Sequence, residues 1–212
     1  MNRAIIITSY IEGKIDMKKF INSEDYVICT DGGYDIAAEN NIRPDMLLGD
    51  FDSIKCEIPA DIEIKRFKPE KDYTDLDLAI KTALEMKFSD LVILGGIGGR
   101  LDHTVANLQL ISCYSSSFDT LVMLDGCNKC FILDSKKDNK IVVQKEKNSY
   151  FSVFSLSEKT TGVSINGAKY QLHDHTLTRT FPLGVSNEFT EKNTVISIKD
   201  GTLLLIISKM DR

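Results

Sequence analysis

Through residue 125 or so, short apolar runs alternate with stretches whose apolar residues recur every three or four positions. The runs fall at residues 4–9, 26–30, 46–49, 62–67, 90–94 and 120–124. Several are apolar on both faces, as buried strands of a parallel sheet tend to be. Between them, Leu76, Ala79, Ile80, Ala83 and Leu84 share one face of a helix beginning at Thr74. A second helix is expected over 101–115, with Leu101, Val105, Leu108 and either Ile111 or Ser112 along one side. This alternation predicts an α/β unit, a doubly wound parallel sheet with helices on both faces, over residues 1–134.

Beyond residue 125 the rhythm becomes that of short strands. Candidates are 141–143, 150–156, 162–165, 169–172, 194–198 and the run TLLLIIS at 202–208. Asn166-Gly167 and Asp200-Gly201 are the strongest hairpin signals, and the second is expected to join VISIK to TLLLIIS. The spacing predicts an antiparallel β-sandwich over 140–212, reached through a polar linker at 135–139.

Composition narrows the chemistry. The chain of 212 residues carries a net charge of −5, which argues against a broad surface for nucleic acid or anionic lipid. No apolar run reaches the length of a membrane span, and the opening MNRAIIITSY reads as a first strand, not a signal peptide. The five cysteines at 29, 56, 113, 127 and 130 read as reduced thiols, which points to a cytoplasmic setting. Cys127-Asn-Lys-Cys130 stands without the second pair that a zinc ribbon needs. His173-Asp174-His175 reads as a solvated turn, and Lys65, Arg66 and Lys68 as the wet face of an edge strand.

In open parallel sheets, ligands bind beyond the carboxyl ends of the strands. The strand at 26–30 is followed by Asp31-Gly32-Gly33, and the strand at 46–49 by Asp50-Phe51-Asp52-Ser53. After 62–67 comes PEKDYTD, ending in Lys71, Asp72, Tyr73, Thr74 and Asp75; after 90–94 comes GGIGGRLDH. Four successive strand ends therefore carry carboxylates, glycines or both. Asp50 and Asp52, two residues apart in an extended loop, can face one hard cation, and with Asp75 they form an oxygen set suited to magnesium. Thr74 is an N-cap, with Asp77 three residues on as its capping-box partner. The glycines of GGIGGR and the helix that follows offer N–H groups to phosphate, and Arg100 adds a forked donor. His103, in the first turn of that helix, is either a local hydrogen-bonding partner or a phosphate contact.

These strings, DGGYDIA, RPDMLLGDFDSI, PEKDYTDLDLAI and LGGIGGRLDH, resemble in order and spacing the signature blocks of the thiamine pyrophosphokinase family. TTGVSINGAKYQL and GVSNEF resemble its weaker C-terminal blocks. The resemblance implies a catalytic α/β domain that binds ATP and Mg2+, a β-sandwich domain that binds thiamine, and a homodimer with the thiamine site near its interface. It implies transfer of pyrophosphate from ATP to the thiamine hydroxyl, giving thiamine diphosphate and AMP. By motif position, Asp50, Asp52 and Asp75 would hold magnesium. Asp31, Gly32, Lys71, Thr74, Gly98, Gly99, Arg100, Asp102 and His103 would surround ATP, and Tyr170, Ser186 and Asn187 would contact thiamine. Arg100 would stabilise charge on the transferring phosphates, and Asp72 or Asp75 would accept the hydroxyl proton. The family often has a tryptophan at a GLKW-like position; this chain has none, and Tyr170 stands there. The same residues also fit a magnesium-dependent kinase or pyrophosphokinase for another small alcohol. A non-catalytic sensor of nucleotide or thiamine is a further reading, against which the full set of carboxylates argues.

Overall fold

The computed structural model describes residues 2–52, 54–67 and 73–210. The chain divides into two compact units, Met1–Cys127 and Asn128–Arg212. Among the described residues, the first contains strands β1 (Arg3–Ile7), β2 (Tyr26–Thr30), β3 (Met46–Gly49), β4 (Glu63–Arg66), β5 (Asp90–Leu94) and β6 (Thr120–Leu124). Helices α1 (Gly33–Glu39), α2 (Asp75–Glu85) and α3 (Leu101–Tyr114) lie between them. The strands pair in parallel in the order β6-β5-β1-β2-β3-β4. The chain moves outward from β1 to β4, then returns to place β5 on the other flank of β1. The strand order therefore reverses between β1 and β5, and such switch points open a crevice at the carboxyl ends.

Alternation along each strand divides the apolar residues between two faces. Ile5, Ile7, Val27, Cys29, Leu47, Val92 and Leu94 form one core with Tyr34 and Ala37 of α1. Ala4, Ile6, Ile28, Leu48, Leu91 and Ile93 point to the other face and are equally buried. On that face α2 contributes Leu76, Ala79, Ile80 and Ala83, all buried. Each aliphatic side chain so enclosed stabilises the fold by about 1.5–3 kcal/mol. At the sheet's edge β4 is largely exposed, in keeping with its Lys65 and Arg66.

In the second unit β7 (Asn128–Asp134), β8 (Lys140–Gln144), β9 (Ser149–Ser155), β10 (Lys159–Asn166), β11 (Leu172–Thr178), β12 (Gly184–Glu188), β13 (Asn193–Ser197) and β14 (Thr202–Lys209) form two antiparallel sheets. Their orders are β12-β9-β14-β7 and β11-β10-β13-β8. Phe151, Val153, Val163, Ile165, Ile196, Leu203, Leu205 and Ile207 fill the core.

Several expectations are corrected here. The division falls at Cys127, not at 135–139, because β7 pairs along its whole length with β14 and so belongs to the second unit. Asp200-Gly201 does not close a hairpin: β13 pairs with β8 and β10, whereas β14 pairs with β7 and β9. The turn carries the chain from one sheet to the other, with Gly201 at φ 105°. The strand expected at 169–172 lies at Leu172–Thr178 instead, because residues 167–171 are the loop of the β10–β11 hairpin. His173-Asp174-His175 is accordingly exposed edge strand and not a turn, interrupted by Asp174 at φ 50°.

Candidate active site

The carboxyl ends of β1, β2 and β5 meet the N-termini of α2 and α3 around one open cleft of about 290 Å³. Thr8, Ser9 and Tyr10 follow β1, Thr30 and Asp31 end β2, and Gly96 and Gly98 follow β5. Thr74, Asp75 and Leu76 come from the start of α2, and Arg100, His103 and Asn107 from the start of α3. Two helix N-termini, each with backbone N–H groups free of intrahelical partners, therefore face one space.

Asp31 organises the acidic side. It adopts φ 41° and accepts the N–H groups of Asp50 and Phe51 at 3.1 and 3.3 Å, which turns the loop at 49–52 around its carboxylate. Gly49 permits the approach: a Cβ there would lie 1.7 Å from Asp31 Oδ1. Burial, then the neighbouring Asp75 carboxylate and Asp50, push the Asp31 carboxyl up to about 7, against the pull of the Phe51 N–H. Asp52 is likewise raised, chiefly by sharing a hydrogen bond with Asp50, whose charge adds to the effect. Asp50 Oδ1 also accepts the Asp52 N–H at 3.3 Å.

The expected magnesium trio of Asp50, Asp52 and Asp75 is thus not a ready-made triangle. Among the described residues no three such ligands stand close enough to hold an ion as they are. Asp50 pairs with Asp52 and Asp75 with Asp31, and Asp31 links the two pairs. Two adjacent pairs of oxygen-only donors, crowded enough that the Asp31 and Asp52 carboxyls hold their protons more tightly than usual, are a donor set that fits a hard dication.

Opposite lies the glycine loop. Gly95, Gly96, Gly98 and Gly99 all have φ between 62° and 93°. Gly98 N–H donates to Thr104 Oγ1 at 3.0 Å, and Asn107 Nδ2 donates to Gly96 O at 2.8 Å, so the first turns of α3 brace the loop. Tyr10 lies against Gly98 and Gly99, where added Cβ atoms would come within 3.1 and 3.2 Å of its ring. Its hydroxyl donates to Glu12 Oε2 at 2.5 Å. Arg100 forms an exposed ion pair with Asp102 at 2.5 Å, so both charges sit at the rim. Asp50, Asp52, Asp102, Gly32 and Gly99 do not line the cleft; Gly32 is the N-cap of α1, and Lys71 and Asp72 lie outside the described residues. Thr8, Ser9, Tyr10 and Asn107 were not expected. The rule of strand carboxyl ends, applied to the first strand as well as the others, points to the first three of them.

The family models match this arrangement unit by unit. Residues 17–124 match "Thiamin pyrophosphokinase, catalytic domain", and residues 138–203 match "Thiamin pyrophosphokinase, vitamin B1 binding domain". The chain belongs to the thiamin pyrophosphokinase family. It is 29% identical over 199 residues to the thiamine pyrophosphokinase of Bacillus subtilis, covering 91% of this chain and 92% of the relative. It is 29% identical over 178 residues to thiamin pyrophosphokinase 1 of Caenorhabditis elegans, covering 80% and 73%. The crystal structure of the B. subtilis thiamine pyrophosphokinase superposes with a TM-score of 0.87 at 27% identity, over 98% of each chain.

In the part of the chain that matches the family's vitamin B1 binding model, Tyr170 and Asn187 are brought together. Asn187 is buried, accepts the Tyr170 N–H at 3.0 Å and donates to Tyr170 O at 2.7 Å. Its amide also accepts the Glu188 N–H at 2.9 Å. Its side chain holds the loop that presents Tyr170, a residue 59% exposed. Lys169 lies 5.5 Å from that ring's centre. Ser186 is exposed at φ 56° and anchored through its N–H to Ser152 Oγ at 3.0 Å.

Proposed function

We propose that this chain transfers the pyrophosphoryl unit of ATP to the hydroxyl of thiamine, with magnesium, releasing AMP. The observation that carries the reading is the opposition, across one cleft, of the Asp31 and Asp75 carboxylates and a braced glycine loop capped by a helix N-terminus. Magnesium would be held by Asp75, Asp50 and Asp52, with Asp31 joining them, and when bound it would offset the negative charge of the phosphates. The residues of the chain do the rest. N–H groups of the glycine loop and the start of α3 receive phosphate oxygens, and Arg100 supplies a guanidinium at the rim. Once a phosphate competes for it, Arg100 leaves Asp102 for the stronger anion, since an exposed pair is worth little. Asp75, next to the N-cap Thr74, would accept the proton of the attacking hydroxyl, a minor contribution where the transition state is loose. The cleft volume lies near the lower end of the range for small-molecule sites, as expected for a nucleotide bound along an open rim.

For thiamine, the exposed Tyr170 ring with Lys169 beside it, and Ser186, offer a flat apolar face and a hydroxyl. A homodimer is part of the same reading. It is supported by exposed Phe181, Leu183 and Val185 in and just before the edge strand β12, apolar surface that a second copy would cover. All five cysteines are free thiols and no described helix is long and apolar enough to cross a membrane, which supports work in the cytoplasm. Separation of thiamine esters after incubation with ATP and magnesium tests the acceptor. Thiamine diphosphate without accumulating monophosphate is expected, and turnover of other small alcohols with thiamine untouched would overturn the proposal.

A further inference from the structure

Asp77 was expected to close a capping box with Thr74, and it does only half of that. Its N–H donates to Thr74 Oγ1 at 3.2 Å, but its carboxylate turns away from the cap. It accepts the Tyr114 hydroxyl at 2.7 Å from the far end of α3, and the Lys81 ammonium at 2.8 Å from the next turn of α2. The side chain is 8% exposed. Lys81 Nζ in turn sits 3.3 Å from the centre of the Tyr73 ring, the residue just before the cap. One buried carboxylate thus joins the last turn of α3, the first two turns of α2 and the residue that leads into α2.

Those are the two helices whose N-termini line the cleft. A buried carboxylate is costly unless each oxygen is paired, and Tyr114 and Lys81 pair one oxygen each. Capping alone needs only Thr74; it gives no reason for a buried charge reaching across to a second helix. The consequence of that reach is geometric, because Thr74 and Asp75 are one helical turn or less from Asp77. A pivot of α2 about its packed face moves Asp75 relative to Asp31.

We infer that Asp77 is a positioning residue, locked by Tyr114 and Lys81, that sets the place of Asp75 in the carboxylate cluster and so the affinity of that cluster for a divalent cation. The inference rests on the proposed function only in assigning the cation to that cluster.

The test is Mn2+ binding to the full chain, read by electron paramagnetic resonance of the free ion, with a non-hydrolysable ATP analogue present. Asp77→Asn and Tyr114→Phe should each weaken Mn2+ binding about 10-fold, the usual size of such outer-layer effects on metal affinity. kcat should fall in parallel, with the KM for thiamine unchanged. Lys81→Arg should preserve affinity, and Lys81→Met should lose it. Tyr114→Phe removes a single oxygen and keeps the ring, so it remains informative if Asp77→Asn does not fold. Variants with lowered melting temperature but wild-type Mn2+ affinity and kcat would overturn the inference, leaving Asp77 a structural strut. Wild-type protein that binds Mn2+ but makes no thiamine diphosphate would overturn the proposed function and leave this inference standing. Wild-type protein that fails to bind the ion would overturn both.

Discussion

Gly49 shows how a single atom decides this site. Its missing Cβ is the space into which Asp31 Oδ1 fits, and its φ of 152° is one that side-chain-bearing residues rarely adopt. Gly49→Ala should drive Asp31 off the N–H groups of Asp50 and Phe51 and lower turnover about 100-fold, the scale expected of a displacement near 1 Å. Steady-state kinetics on the folded variant checks this; near-normal turnover would mean that the Asp31 contact is dispensable. Asn187 and Ser186 separate in the same way. Asn187→Ala strips Tyr170 of both of its backbone partners and should lower stability by about 1–3 kcal/mol while raising the KM for thiamine. Ser186→Ala should raise that KM with no change in the melting temperature, since no packing depends on its hydroxyl. Both variants should leave the KM for ATP alone, and a raised ATP KM would contradict the role given to this unit.

At the scale of elements, β1 is tied to the turn before β2 by a forked ion pair. Arg3 Nε and Nη2 donate to the two oxygens of Asp25 at 2.9 and 2.6 Å, and the Asn22 N–H adds a third bond at 2.7 Å. Burial pushes the Asp25 carboxyl up, but Arg3 and the Asn22 N–H together pull it further down, to a net value below its ordinary range. A carboxyl depressed in the folded state adds stability above its unfolded value, near pH 4, and loses it as pH falls through the folded value. Acid unfolding should therefore begin at higher pH in Asp25→Asn than in wild type, and identical acid transitions in thermal melts would contradict that. The same strands are readable from sequence because β1, β2, β3 and β5 each hold an unbroken run of three or four apolar residues, and Thr74 marks the start of α2. By contrast β7, β11 and β12 hold polar runs such as His173-Asp174-His175 and Ser186-Asn187, which blur the alternation that marks a strand. Asp200-Gly201 misled for another reason: left-handed turn residues serve a change of sheet as well as a hairpin, and only long-range pairing distinguishes them.

For the whole molecule, each unit was visible as a composition of elements, but the site was visible only in part. The glycine loop and the acids of PEKDYTD and GDFDS lie in contiguous strings, so their chemistry could be read directly. The linkage of Asp31 to Asp75, and the seat of Tyr10 on Gly98 and Gly99, depend on which strands become neighbours across the switch point. No local pattern carries that information. The cleft so assembled is claimed to cleave ATP between its α- and β-phosphorus atoms, with thiamine as acceptor. A phosphorus NMR time course with ATP, magnesium and thiamine tests that claim most directly. AMP and thiamine diphosphate should appear in equal amounts as ATP disappears, with no reaction when thiamine is omitted. ADP accumulating with thiamine monophosphate would contradict it.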